Sequence, residues 1–386
     1  MTMTSPPSTL PHANLVSAPV FTENSRVRVA YLVPPSPHFA GMERVTHELA
    51  SELVEHHAGS IAVSVIYFTD YPEVRDAPYR IIRARGDRVR DVPAGLHRVL
   101  ATNDFDVIVI PQFENAVLSL IYNRLHGRRD RIVLHLHGNP DIERVMSVKS
   151  RLVFSLYRAT ATWFAGIVTV SPGLARSTLG ALGGKGAVRY LPNPVRQLPP
   201  VGGHAPQAQH FVTVGRLAHQ KGHDIAIRAF RQVVDRFPQA TFAIVGDGPE
   251  HQALAALVET LDLTRNVILK GMISDPSQEL AAASAFVSAS RWEGFGVAIV
   301  EALSAGLPVI AARCDFGPED IITRPELGTL VPPGDPVALA DAMIRHLSTT
   351  TPLGTPEDRI AHAAGFARSA VAIEHAAYLS GFGTQH

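Results

Sequence analysis

A chain of 386 residues exceeds one ordinary domain and suits two of roughly 150 to 200 residues, each with its own core. Its 46% apolar and 18% charged content is that of a globular protein, and 35 basic against 35 acidic residues leave no net charge to draw in nucleic acid. Cys314 is the single cysteine, which excludes an internal disulfide and suits a reducing cytoplasm.

Residues 1–25 hold Pro, Ser and Thr but no Lys, no Arg and no apolar run, so they read as a disordered leader rather than a signal peptide. From Arg26 onward short β-branched runs alternate with helical patterns. "RVRVAYLVP", "IAVSVIYF", "DVIVIP", "RIVLHLHG", "GIVTVS" and "AVRYLP" are apolar on both faces, as buried parallel strands are. In "GMERVTHELASEL", Met42, Val45, Leu49 and Leu53 share one helical face. Arginines cluster between positions 80 and 98 and between 124 and 131. A solvated surface is the preferred reading of both clusters, and contact with an anionic lipid or acceptor the disfavoured one.

The Pro- and Gly-rich stretch 196–209 reads as an interdomain linker. After it the alternation restarts with "HFVTVGRL", "TFAIVGDG", "NVILKG", "AFVSAS" and "PVIAAR", and a helix between the first two carries Ile227, Phe230, Val234 and Phe237 on one face. The pattern predicts an α/β protein of two doubly wound, Rossmann-like domains, 26–195 and 210–350, facing across a cleft. In such sheets ligands sit at the carboxyl ends of strands, and two domains place the site between them. No run of ~18 apolar residues occurs, so no transmembrane segment is expected.

"AFVSAS" is a strand, "RWEGFG" the loop at its carboxyl end, and the following helix starts near Val297. Glu293 therefore stands on a loop tip, and Glu301 lies about one turn into the helix. On one continuous helix the two would point ~80° apart; from loop and helix both can face one ligand. Gly294 and Gly296 let backbone approach that ligand, and the free amides near Gly296 and Val297 make an anion site. Carboxylates only accept hydrogen bonds, so sugar hydroxyls are their natural targets.

The segment "EGFGVAIVEALSAGLPVIA" closely resembles the signature of the GT-B-fold retaining glycosyltransferases of family 4, whose two glutamates are separated by seven residues. "VGRLAHQKG" resembles the family's Gly-Arg-Leu…Lys-Gly element and supplies Gly215, Arg216 and Lys221. "FAGMERV" resembles its Gly-rich loop, with Gly41 present but Ala40 where a first glycine is usual. "LHLHGN" places His137 at the His-Gly position, and "TVSPGLA" and "VGDGP" match as well.

The resemblance implies a nucleotide diphosphate sugar, a UDP-sugar first of all, as donor substrate, and a hydroxyl-bearing acceptor. It implies that Glu301 grips the nucleotide ribose, while Glu293 and His137 sit beside the donor sugar. Arg216 and Lys221 would neutralise the diphosphate in place of a metal, so neither a metal nor another cofactor is expected. Gly41, Gly215, Gly248, Met272, Gly294, Phe295, Gly296 and Val297 complete the implied donor site. His135, beside His137, is expected to point to the opposite face and serve the core. In "CDFGPEDII" Asp320 occupies the family's usual glutamate position, and Cys314 reads as structural.

By resemblance the last helices, about 360–386, are expected to return to the N-terminal domain, with a second chain crossing at 347–358. Two rival functions use the same fold. One is an inverting transferase with His38 as base, and the other a sugar-nucleotide 2-epimerase that needs no acceptor. The high Ala, Arg, Pro and Gly content keeps two acceptor classes in view, an aminocyclitol-type natural product and a cell-envelope glycan or lipid.

Overall fold

Two all-parallel sheets account for the two sets of apolar runs. The computed structural model describes residues 26–37, 39, 41–143, 148–198, 209–349 and 354–383. The leader, most of the linker, Ala40 and His38 lie outside the described residues.

The first sheet contains β1 (Val27–Val33), β2 (Ile61–Tyr67), β3 (Arg80–Arg83), β4 (Val107–Pro111), β5 (Ile132–Leu136), β6 (Gly166–Thr169) and β7 (Val188–Tyr190), in the order β3-β2-β1-β4-β5-β6-β7. The second contains β8 (His210–Val214), β9 (Thr241–Val245), β10 (Val267–Gly271), β11 (Ala285–Ser288), β12 (Val309–Ala312) and β13 (Gly328–Val331), in the order β10-β9-β8-β11-β12-β13. Strands β4, β5, β6, β11 and β12 are buried along their whole length, which is why their sequences are continuous apolar runs. In each sheet the chain first winds outward in one direction and then restarts on the other side of its first strand. The two switch points, β1/β4 and β8/β11, are where such sheets open a crevice at their carboxyl ends.

Helix Gly41–His57 buries Val45, Leu49 and Leu53 against β1 and β2. Helix His223–Arg236 buries Ile227, Phe230 and Val234 in the core of the second half. The final helix, Arg368–Ser380, packs on helix Gly41–His57, β1 and β2 through Ala372, Ala376 and Leu379.

The return crossing lies later than 347–358. Helix Pro356–Ala363 still packs on helix Val297–Ser304, and the buried Arg359 guanidinium donates to the carbonyls of Glu326 at 3.0 Å and Gly306 at 3.2 Å. Only at 364–367 does the chain cross, where the Val195 amide donates to the Phe366 carbonyl at 2.9 Å and Val195 bridges Ala367. The two crossings therefore run side by side. Among the described residues no helix is long and apolar enough to cross a membrane.

Candidate active site

Strand β8 ends in the loop 215–222. Its backbone is laid against the loop that follows β9: the Gly215 amide donates to Val245 and the Leu217 amide to Asp247, both at 2.9 Å. A side chain at Gly248 would run into the Leu217 backbone, so this glycine serves the packing of the two loops. The Arg216 side chain is exposed and has no partner among the described residues. Beneath it the buried His223 imidazole donates from Nε2 to the Arg216 carbonyl at 3.2 Å, and burial pulls its pKa down to about 4. His223 stays neutral and supports the loop without adding charge.

Lys221 turns toward the loop after β11. Its ammonium lies 2.6 Å from Glu293 Oε1, which also accepts the Ser290 hydroxyl at 2.7 Å. Glu293 is 7% exposed, and its backbone is pinned to Asp315 and Phe316 by bonds of 2.8 and 2.7 Å. A second tie joins the same two loops. The Arg291 guanidinium grips Asp224 with two bonds of 2.9 and 2.7 Å, and the Gln220 carbonyl accepts the Arg291 amide at 2.7 Å. Burial raises the Asp224 pKa while its bonds to Arg291 lower it, and the net effect is below the usual carboxylate value. Behind these groups a cavity of about 20 Å³ is lined by Lys221, His223, Ser288, Ser290 and Glu293, enough for one water.

Gly296 has φ 104°, a backbone turn that lets helix Val297–Ser304 start at once and aim its first amides out of the sheet. Glu301 is partly buried on this helix, and its carboxylate makes no hydrogen bond among the described residues. Burial drives its pKa up to about 7, against the cations Arg44, Arg196 and Arg368 and with help from Glu48. Phe295 points inward instead: it is buried, with its ring 5.5 Å from Phe366. Met272 is 77% exposed at the sheet edge, three strands from β11, and is not brought to the glutamate loop.

The first sheet reaches this region at His137, one residue past β5. A side chain at Gly294 would collide with the His137 carbonyl, so the glutamate loop touches the end of β5 backbone to backbone. Gly41 starts its helix in open space, with nothing within 4 Å of where a Cβ would stand.

The opposite-face expectation for His135 is corrected. Residues two apart in a strand share a face, and the His135 and His137 rings lie 4.2 Å apart with His375 of the last helix 5.7 Å from His135. Burial lowers the pKa of all three, to about 4 for His137 and His375, so His137 is a neutral imidazole at pH 7. Elsewhere along the cleft the Asp320 carboxylate accepts the Gly173 amide at 2.9 Å, capping a helix of the other half. Cys314 is buried, and its thiol is pushed up to about 12, which suits a packing role.

Among the described residues the arrangement offers the unengaged guanidinium of Arg216, an ammonium shared with a carboxylate, the first amides of helix Val297–Ser304 and the Glu301 carboxylate, with further arginines near it. It suits a ligand that is anionic at its centre and hydroxylated at both ends. Among the described residues no group of three or more His, Cys, Asp or Glu side chains is placed to hold a metal ion.

Two family models divide the chain at the same place as the two sheets. Glycosyltransferase Family 4 matches residues 39–196 and Glycosyl transferases group 1 matches 208–349. The chain belongs to the group 1, family 4 glycosyltransferases. This glycosyltransferase is 42% identical over 117 residues to the uncharacterized glycosyltransferase MJ1059 of Methanocaldococcus jannaschii, covering 30% of this chain and 29% of that protein. It is 32% identical over 137 residues to the 2-deoxystreptamine N-acetyl-D-glucosaminyltransferase of Niallia circulans, covering 35% of each. The chain thus spans about a third of the length of these curated relatives. The crystal structure of Anabaena Alr3699/HepE in complex with UDP-glucose matches with a TM-score of 0.76 at 20% identity, over 92% of this chain and 100% of that one. The fold of this glycosyltransferase is GT-B.

The ties Arg291–Asp224 and Lys221–Glu293, and the support from His223 and Ser290, went unread in the sequence. The two ties join residues about 70 positions apart, His223 reaches a backbone carbonyl, and Ser290 reaches a carboxylate three residues on within one loop; no helical or strand period reports such contacts.

Proposed function

We propose that this glycosyltransferase moves a hexose-type sugar from a nucleoside diphosphate sugar, a UDP-sugar first of all, to a hydroxyl acceptor. We further propose retention of anomeric configuration and no need for a divalent metal. The observation that carries the reading is the junction of loops 215–222 and 289–296. There the Arg216 side chain is unengaged while Lys221 is anchored on Glu293, opposite His137 at the end of β5.

The departing diphosphate develops negative charge. Arg216 supplies a rigid fork of donors for it, Lys221 a point charge held in place, and the first amides of helix Val297–Ser304 an oriented dipole. Glu301 binds the ribose hydroxyls. Glu293 uses Oε1 on Lys221 and Ser290, which leaves its other oxygen for a hydroxyl of the donor sugar. His137, neutral through burial, hydrogen-bonds the sugar near the reacting carbon without repelling an oxocarbenium-like centre. The departing phosphate oxygen takes the acceptor's proton on the same face. The UDP-glucose complex of Anabaena HepE and the N-acetyl-D-glucosaminyl-transferring relative support the donor class. The second of these keeps an aminocyclitol among the acceptors, beside an envelope glycan or lipid.

The test is a thermal-stabilisation screen of sugar nucleotides in EDTA. Proton NMR of the product formed with the best donor then reads the configuration. Stabilisation by a UDP-sugar and an anomeric coupling matching the donor's support the reading. Inverted product would hand the reaction to a base such as His38, and donor isomerised without acceptor would make the chain an epimerase.

A further inference from the structure

Helix Val148–Thr160 lies on the His137-bearing half and follows β5 in the chain. Its inner face buries Val153, Phe154 and Tyr157. Its outer face mixes large apolar side chains with the exposed Lys149, Arg151, Ser155 and Arg158. Val148 is 80% exposed, Leu152 63% and Trp163, in the turn that follows, 44%. At ~100° per residue, positions 148, 152 and 159 fall within an arc of about 40°, and Trp163 stands in the short turn just beyond the helix end. Ala159 completes the line and is exposed.

Cations border this stripe on both sides. Arg151 and Arg158 lie on one flank, both exposed and without a side-chain partner among the described residues. On the other flank Lys149 is paired with Glu114. The Arg124 guanidinium sits 4.8 Å over the Trp163 ring, and beside it Leu125 is 79% exposed. A face apolar along its centre and basic along its edges is the wrong way out for water. Large exposed apolar groups in one place mark an interaction surface, and a basic amphipathic helix with an indole at its end suits the interface of an anionic bilayer.

We propose that the face formed by helix Val148–Thr160, Leu125 and Trp163 docks this glycosyltransferase on an anionic lipid surface. The apolar side chains enter the headgroup boundary, and Arg124, Arg151 and Arg158 neutralise lipid phosphates. Arg124, the first arginine of the 124–131 cluster, is thereby given a task beyond solvation. The inference does not rest on the donor reading, because its test measures binding rather than turnover.

The full chain is floated with vesicles of phosphatidylcholine alone, or with one third phosphatidylglycerol, at low and at physiological salt. Tryptophan emission is followed in the same samples. Binding is expected to the anionic vesicles only, weakened by salt, with a blue shift that disappears in Trp163→Phe because Trp292 is partly buried in the glutamate loop. Arg158→Glu changes two charges at an exposed position and should lower partitioning by about tenfold or more, and Leu152→Ser should weaken it as well. Circular dichroism confirms that the variants are folded. Three results would overturn the proposal: no flotation with either vesicle, flotation unchanged in both variants, or concentration-dependent self-association abolished by Leu152→Ser without vesicle binding. The last would assign the face to a second copy of the chain.

Discussion

Glu301 is under two opposed pressures. Its proposed ribose contact needs a carboxylate, while burial holds its pKa up at about 7. The sign follows directly: above pH 7 the free protein presents the anion, and below it the protonated acid. Donor affinity should therefore fall as pH drops from 8 to 6, before the phosphates themselves explain the change. Glu301→Gln should weaken donor binding by about 1.5–3 kcal/mol and flatten that pH dependence, as read by calorimetry. Lys221 makes a second, structural prediction. Lys221→Met leaves the nearly buried Glu293 carboxylate without its cation and should cost about 3 kcal/mol in a denaturant titration. Adding Glu293→Gln should recover much of that loss, since the unpaired charge then disappears.

At the scale of elements, the site depends on two loops from neighbouring strands behaving as one. Asp224, on the helix after the cationic loop, holds Arg291 in the glutamate loop by a bidentate bond. Arg291→Lys keeps the charge but loses the fork. It should cost about 1 kcal/mol of stability, discounted for its exposure, and raise the donor Kd several-fold by loosening Arg216 and Lys221 together. An unchanged Kd would mean that the loops are positioned by backbone contacts alone.

The same scale shows what the sequence displayed and what it withheld. Strands buried on both faces announced themselves, and the glutamate loop was placed correctly because strand, glycines and helix follow one another without a gap. Strand β3, "RIIR", gives no signal because two apolar residues between arginines set no period, and β13 gives none because a four-residue strand opening on Gly328 resembles a turn. The shared face of His135 and His137 is legible by the period of two, against the opposite-face expectation. The pairing of Val195 with Ala367 was not legible at all: it is a contact across 172 positions, set by where Arg359 anchors the preceding helix.

As a whole, the molecule is two sheets joined by adjacent chain crossings, with contacts on both sides of the cleft. His137 meets Gly294, and Asp320 caps the helix that contains Gly173. Paired crossings favour rotation of one half on the other. We expect an ensemble that is more open without ligand and compacts on adding UDP, seen as a fall in the radius of gyration by solution scattering. An open free form that keeps its radius with nucleotide bound would count against closure by these groups. Donor binding turns on a diphosphate held by protein cations at the junction of the two loops. Calorimetric titration of UDP in EDTA measures this directly. Saturable one-to-one binding is expected, weakened about tenfold or more by Arg216→Met. Absence of binding for every nucleoside diphosphate, or binding indifferent to Arg216→Met, would contradict it.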